Sequence, residues 1–255
     1  MGNILGPISS IFGHIMRWFY ETMSSLFAEP ASISYLALSI LLMAVISKLM
    51  TIPIMAQMTK SSRKMKEMQP EIEKLRQKYG YDQQILQQKT MEFYKENGMS
   101  MAGCSSCLPM LLQLVLIVAL YAVLQDPGKY IFDNQENIHK IARNFFWIPD
   151  LFQADPLSWL GLPLWNAVLQ LAVQWFGPSR QQQEQLGSGS SMLIMTFGMP
   201  IIFYFISIKW ASGLLLYWTF GNVLEVIYRM ISAFIVNIRT PKSDDLESNR
   251  NRGKK

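Results

Sequence analysis

Between Glu29 and Lys60 the chain carries a single charge, Lys48. Further charge-free stretches run from Cys104 to Gln125, Pro156 to Ser179, Gln185 to Ile208 and Trp210 to Leu224. The last is continued by mostly apolar residues to Ile238. A helix needs about 20 mostly apolar residues to cross a hydrocarbon core of ~30 Å. The pattern predicts an all-α integral membrane protein with five transmembrane helices, over 34–56, 105–125, 157–177, 192–208 and 212–233. The fourth is the shortest, and Pro200 is expected to bend it. Overall charge agrees: 16% of residues are charged, against roughly a quarter in a soluble domain.

Lys and Arg counts orient the spans. Segment 57–104 holds nine and the tail from 234 holds six, whereas residues 1–33 hold only Arg17. Segment 126–156 holds three against five acids, and linker 178–191 holds one. The positive-inside rule puts 57–104, the linker and the tail in the cytoplasm, with the N-terminus outside. The net charge of +5 therefore reads as attraction to anionic headgroups rather than to nucleic acid. No basic start leads into a short apolar run with a small-residue cleavage site, so no cleavable signal peptide is expected. Ile4, Ile8, Ile11, Ile15 and Phe19 fall at helical spacing instead, and 1–33 reads as an interfacial amphipathic helix. The expected layout is this helix, the first span over 34–56, a cytoplasmic segment over 57–104, spans two to five over 105–233, and a basic tail over 234–255.

Segment 57–104 is polar but periodic. Met65, Met68, Ile72, Leu75 and Tyr79 recur at spacings of three and four, the seam of a helix packed on a partner. Gly80-Tyr81-Asp82 breaks the pattern, with Asp82 placed as the N-cap of a second helix. Leu86, Thr90, Phe93 and Asn97 continue the spacing, and Gly98 ends it. A helical hairpin of about 20 residues per arm is expected, kinked at Pro70. Its methionines, including 58, 65, 68, 91, 99 and 101, offer an adaptable apolar surface. Met65, Met68, Pro70, Ile72 and Leu75 are its candidate contact residues.

A lysine at the depth of Lys48 costs about 2.5–3.5 kcal/mol on insertion scales and needs water or a partner. It lies about eight residues, or ~12 Å of helix, from the predicted span end, at or beyond snorkelling reach. Other spans carry polar residues at helical spacing: Asn166, Gln170 and Gln174 in the third, and Trp218, Asn222, Glu225 and Arg229 in the fifth. The second adds Gln113, and the fourth adds Thr196 and Tyr204. Each stripe alone suits ordinary interhelical hydrogen bonding. Together with an intramembrane cation they favour a hydrated cavity between helices. No repeat or acidic relay marks a transporter or channel for small solutes, and no catalytic triad or phosphate-cradling loop marks an enzyme. Cys104 and Cys107 form a C-x-x-C at the start of the second span. They suit a membrane thiol oxidoreductase, half a metal site, or two small residues packing at a helix start. Zinc normally takes four ligands, and the two histidines, His14 and His139, are expected on the opposite side. No catalytic residue, cofactor or metal is predicted.

In this order, several short motifs resemble the YidC/Oxa/Alb family of membrane protein insertases, in the five-span form typical of Gram-positive bacteria. They begin with Lys48 five residues before Pro53, then Lys60-Ser61-Ser62 and Met68-Gln69-Pro70-Glu71. Gly103-Cys104 and Leu108-Pro109-Met110-Leu111-Leu112-Gln113 open the second span. Phe146-Trp147-Ile148-Pro149-Asp150-Leu151 and Asp155-Pro156 precede the third. Pro200, Gly213-Leu214 and Leu216-Tyr217-Trp218 with Asn222 mark the last two. The resemblance covers roughly residues 34–233.

It implies a hydrophilic groove, open to the cytoplasm and to lipid, that receives the acidic N-terminal tail of a nascent membrane protein. By position Lys48 would be the groove cation, Gln113 and Gln170 polar groove residues, and Trp218 a groove-facing aromatic. The implied partners are nascent membrane-protein substrates, the ribosome through the hairpin and basic tail, the Sec translocon as an alternative to independent action, and the lipid bilayer. The implied place is a bacterial cell membrane, with insertase and chaperone work that consumes no nucleotide. Two positions depart from the family pattern: lysine stands where arginine is usual, and Glu225 where a small or neutral polar residue is usual. Glu225 falls at about the depth of Lys48 and could hold it charged at rest. It could equally form a local i, i+4 pair with Arg229.

Overall fold

The computed structural model describes residues 6–98, 102–132, 141–176 and 198–239, with some side chains inside these ranges left out. Thr196 and the tail beyond Arg239 lie outside them, as do the side chains of Met65, Cys104 and Cys107. Among the described residues there are helices and three isolated β-bridges, with no strands. The helices are α1 (Gly6–Leu26), α2 (Tyr35–Glu67), α3 (Gln69–Tyr79), α4 (Gln83–Glu96), α5 (Ala102–Gln125) and α6 (Pro127–Tyr130). A single 3-10 turn over Ser158–Leu160 precedes α7 (Leu162–Trp175), α8 (Met199–Ser207) and α9 (Ser212–Arg239). One described helix, over Tyr35–Gln57, is long and apolar enough to cross a membrane by hydropathy and length, and Leu112–Gln125 is a shorter apolar helix.

Helix α2 packs on α1, α5 and α9, and α9 packs also on α7, which in turn meets α8. The inward stripe of α2 runs through Leu36, Ile40, Met43, Ala44, Ser47 and Thr51 at spacings of three and four. Leu116, Leu120, Val123 and Leu124 of α5 meet it, with Leu214 to Trp218 of α9 buried on all sides. The buried face of α1 is Ser9, Phe12, Gly13 and Met16. The isoleucine stripe flanks this face: Ile8 and Ile15 are half-buried against the core, and Ile11 is exposed. Close approach explains the choice: a Cβ on Gly13 would come within 2.3 Å of the Tyr130 carbonyl oxygen. Small residues allow backbones to meet, and that outweighs the apolar reward of a larger side chain.

The first arm of the hairpin differs from expectation. Helix α2 runs eleven residues past the predicted span end at 56, breaks at Met68 and restarts as α3. Pro70 therefore stands in the first turn of α3 rather than at a kink. There its missing N–H costs nothing, whereas mid-helix its ring would strike the carbonyl four residues back. Asp82 caps α4 by accepting from the Gln84 and Ile85 amides, and Gly98 takes φ +67° just beyond the helix end. Ile72 is buried, Met68, Leu75 and Tyr79 are half-buried, and Pro70 is exposed. The Lys64 ammonium donates to the Asn97 carbonyl at 2.8 Å, fastening the end of α4 back onto α2. On the exposed face of α4, a hydrogen bond from Lys89 holds the Glu92 carboxyl below its ordinary range.

The predicted third span also starts later than expected, because 158–160 form a separate turn before Gly161. At that end of the bundle Asp155 is buried and organises the chain. It accepts from the Leu162 amide at 2.6 Å, the Leu157 amide at 2.9 Å and the Trp147 indole at 3.2 Å. A carboxylate at the N-terminus of α7 is also favoured by the helix dipole. Gly161 is required beside it, since a Cβ there would lie 2.0 Å from a carboxylate oxygen. The same connection bonds to both neighbouring helix starts: Ser34 N to Asn144 O, Phe146 N to Ser32 O, and Gly213 N to Leu151 O. Asp155→Ala should leave three donors short of a partner and destabilise the protein by about 1–3 kcal/mol. Thermal unfolding in detergent checks this, with Asp155→Asn expected to lose less.

Candidate functional site

Charge is sparse in the helical core, and the chain concentrates it at one place. Lys48 of α2 donates from Nζ to Glu225 Oε2 of α9 at 2.8 Å. The other oxygen of Glu225 accepts from Arg229, at 3.0 Å from Nε and at a shorter distance from Nη2. The two readings open to Glu225 are therefore both realised, one on each carboxylate oxygen. The side chains of Lys48, Glu225 and Arg229 are 14%, 15% and 18% exposed. All three are sheltered, yet none is sealed. Two cations against one carboxylate leave the cluster with a net charge of +1.

Gly221, one turn before Glu225, lies beneath the contact. A Cβ there would stand 3.2 Å from Lys48 Cε, so the lysine stem lies directly over the α9 backbone. Sequence reading missed Gly221. Its signal was available in the i, i+4 spacing to Glu225, but a glycine in an apolar helix has many other uses.

Two further polar contacts join the same helices. Asn222 Nδ2 of α9 donates to Asn166 Oδ1 of α7 at 2.9 Å, and both side chains are buried. The Tyr217 hydroxyl of α9 faces Ser47 of α2 and Gln113 of α5 without completing a hydrogen bond to either. The buried Gln170 Oε1 of α7 is likewise unpartnered, and Gln174 is half-buried one turn further on. Trp218 belongs to a different environment. It stacks on Trp210 with centroids 5.7 Å apart and meets Phe203 edge-on at 5.2 Å. The stripe Trp218, Asn222, Glu225, Arg229 thus divides into an aromatic contact, an amide pair and the ion cluster. Tyr204 of α8 donates to the Trp159 carbonyl at 2.9 Å, away from these groups in the chain's 3-10 turn.

Chemically the arrangement offers charge and hydrogen bonding, with no nucleophile–base pair in it. Among the described residues no cluster of His, Cys, Asp and Glu could hold a metal. The thiols of Cys104 and Cys107 lie outside the described side chains.

A family model described as 60Kd inner membrane protein matches residues 28–238. Similar curated proteins carry the name membrane protein insertase YidC. That of Clostridium perfringens is 30% identical over 229 residues, covering 89% of this chain and 90% of its own length. That of Clostridium tetani is 31% identical over 208 residues, with 81% and 84% covered. That of Treponema denticola is 28% identical over 239 residues, and this chain spans only 38% of its length.

The ion cluster makes a thermodynamic prediction. Lys48→Met, Glu225→Gln and the double variant should form a non-additive cycle, with a coupling of about 0.5–3 kcal/mol. The loss in Lys48→Met should stay below the ~3–5 kcal/mol of a stranded buried charge, because Arg229 still pairs with Glu225. Unfolding in detergent supplies all four values, and additivity would mean that the two side chains do not interact.

Proposed function

The chain belongs to the 60Kd inner membrane protein family, and from that membership we propose that it is a membrane protein insertase and chaperone of a bacterial cell membrane. Lys48 is the observation that carries the reading: a mostly buried cation within a helix otherwise apolar enough to span the bilayer. Five spans, with the N-terminus outside and the C-terminus cytoplasmic, complete the proposed topology. Large apolar side chains exposed on α5 (Leu114, Val118), α8 (Ile201, Ile202, Phe205) and α9 (Ile227, Ile231, Phe234) suit contact with lipid.

The mechanism is a lowered barrier rather than a chemical step. Carrying a charged tail through an intact hydrocarbon core is costly. Polar groups at Lys48, Gln113, Asn166, Gln170, Gln174 and Asn222 would line a groove that shortens the dry path. The net positive charge near Lys48 would attract an acidic N-terminal tail, since Coulomb attraction strengthens as the surroundings become less polar. The apolar segment of the substrate would then pass into lipid along the exposed helix faces. The hairpin of α3 and α4 would meet the nascent chain, and with the basic tail would face the ribosome. Action beside the Sec translocon is compatible with this role.

Complementation of an insertase-depleted bacterium tests the reading. Lys48→Arg should support growth, Lys48→Ala should weaken insertion of acidic-tailed substrates, and Lys48→Glu should lose most of it. Full insertion of acidic-tailed substrates by Lys48→Glu would overturn the electrostatic role.

A further inference from the structure

We propose that Glu225 is a built-in counter-anion which sets the number of acidic residues the site accepts, and which is handed from Lys48 to Arg229 when a substrate carboxylate arrives. The proposal rests on the insertase reading of the same site and names its specificity.

Three observations carry it. First, Glu225 divides its two oxygens between the cations, Oε2 to Lys48 and Oε1 to Arg229. Releasing Lys48 therefore does not strand a buried carboxylate, because the arginine fork keeps hold of it and can donate to both oxygens. A carboxylate held by Lys48 alone could be displaced only by leaving it unpaired, and that arrangement would resist exchange. Second, the charges count out. Two cations and one carboxylate leave one positive charge unmatched. One added carboxylate neutralises the cluster, and a second leaves it negative. Among the described groups, Lys48 and Arg229 are the charges acting on Glu225. Third, the cluster is not sealed. All three side chains retain some exposure, and the Lys48 stem rests on Gly221, where a Cβ would stand 3.2 Å from Cε.

The occupant is thus an acidic peptide tail, with a preference for one carboxylate at a time. The same cluster without Glu225 would carry +2 and would suit two. This makes Glu225 a specificity determinant and Arg229 its resting place, a division that a lone groove cation lacks.

The test uses the full chain in proteoliposomes and a set of single-span substrates whose N-terminal tails carry zero, one, two or three Asp residues. The wild-type protein should insert singly acidic tails best and lose about fivefold, the factor set by ~1 kcal/mol, at two acids. Glu225→Gln should move the optimum to two acids. Arg229→Gln should lower the ratio of singly acidic to neutral-tail insertion by about fivefold, because Glu225 then stays on Lys48. An unchanged tail-charge profile in Glu225→Gln overturns the proposal. Where Glu225→Gln does not accumulate as folded protein, an unchanged ratio in Arg229→Gln overturns it alone. Lys48→Glu separates the two levels. If it inserts acidic tails fully, the cation reading itself falls. If it fails while both other variants keep the wild-type profile, only the hand-over falls.

Discussion

Glu225 lies where three demands meet, and much of the arrangement of α2 and α9 follows from satisfying them. A buried carboxylate must be paired, a lysine in an apolar helix needs a partner or water, and an arginine one turn along α9 needs an acceptor. The bridge from Lys48 through Glu225 to Arg229 answers all three with one side chain. The Lys48 stem lies over Gly221 on its way to that partner. The face that α2 turns to the core, from Leu36 to Thr51, is the face adjoining that contact. Apolar packing and the ion cluster therefore agree on a single register.

At the opposite end of these helices, backbone polar groups rather than charges set the constraint. The connection over 141–161 must cross the helix starts without wasting hydrogen bonds. Asp155 solves this by taking three donors at once, and Ser212 and Gly213 bond to the Gln153 and Leu151 carbonyls. Gly161 is the geometric consequence, a residue without a Cβ beside a buried carboxylate. The result holds α2, α7 and α9 by their N-termini, while the ion cluster joins α2 and α9 further along.

Part of this was legible in the residues. Asp82 announced its own role, because an N-cap is a local device whose partners are two and three residues away. Pro70 was legible as a break but not as a restart, since a proline mid-helix and a proline in a first turn differ only in what precedes them. The core-facing side of α1 was not legible for a related reason. Hydropathy ranks Ile11 above Gly13, but the approach of Tyr130 is a long-range fact that rewards the smaller residue. The late start of α7 was hidden in the same way, because the polar segment before it is organised by Asp155 at a distance of seven residues.

By itself the sequence determined the helical class, the single charge in the first apolar stretch and the set of polar residues available to meet it. Those follow from composition and from periods of three and four, which each segment carries within itself. It also determined, through the order of its motifs, the family to which the chain belongs. Only the tertiary structure decided the partnerships. A spacing of i, i+4 permits Glu225 to pair with Arg229, yet nothing along α9 says that its second oxygen meets a lysine 177 residues earlier. Nor does it say that Asn222 finds Asn166 while Trp218 turns to Trp210 and Phe203. Such contacts depend on the rotation and depth at which separate helices pack, and those are settled by all the side chains of the interface together.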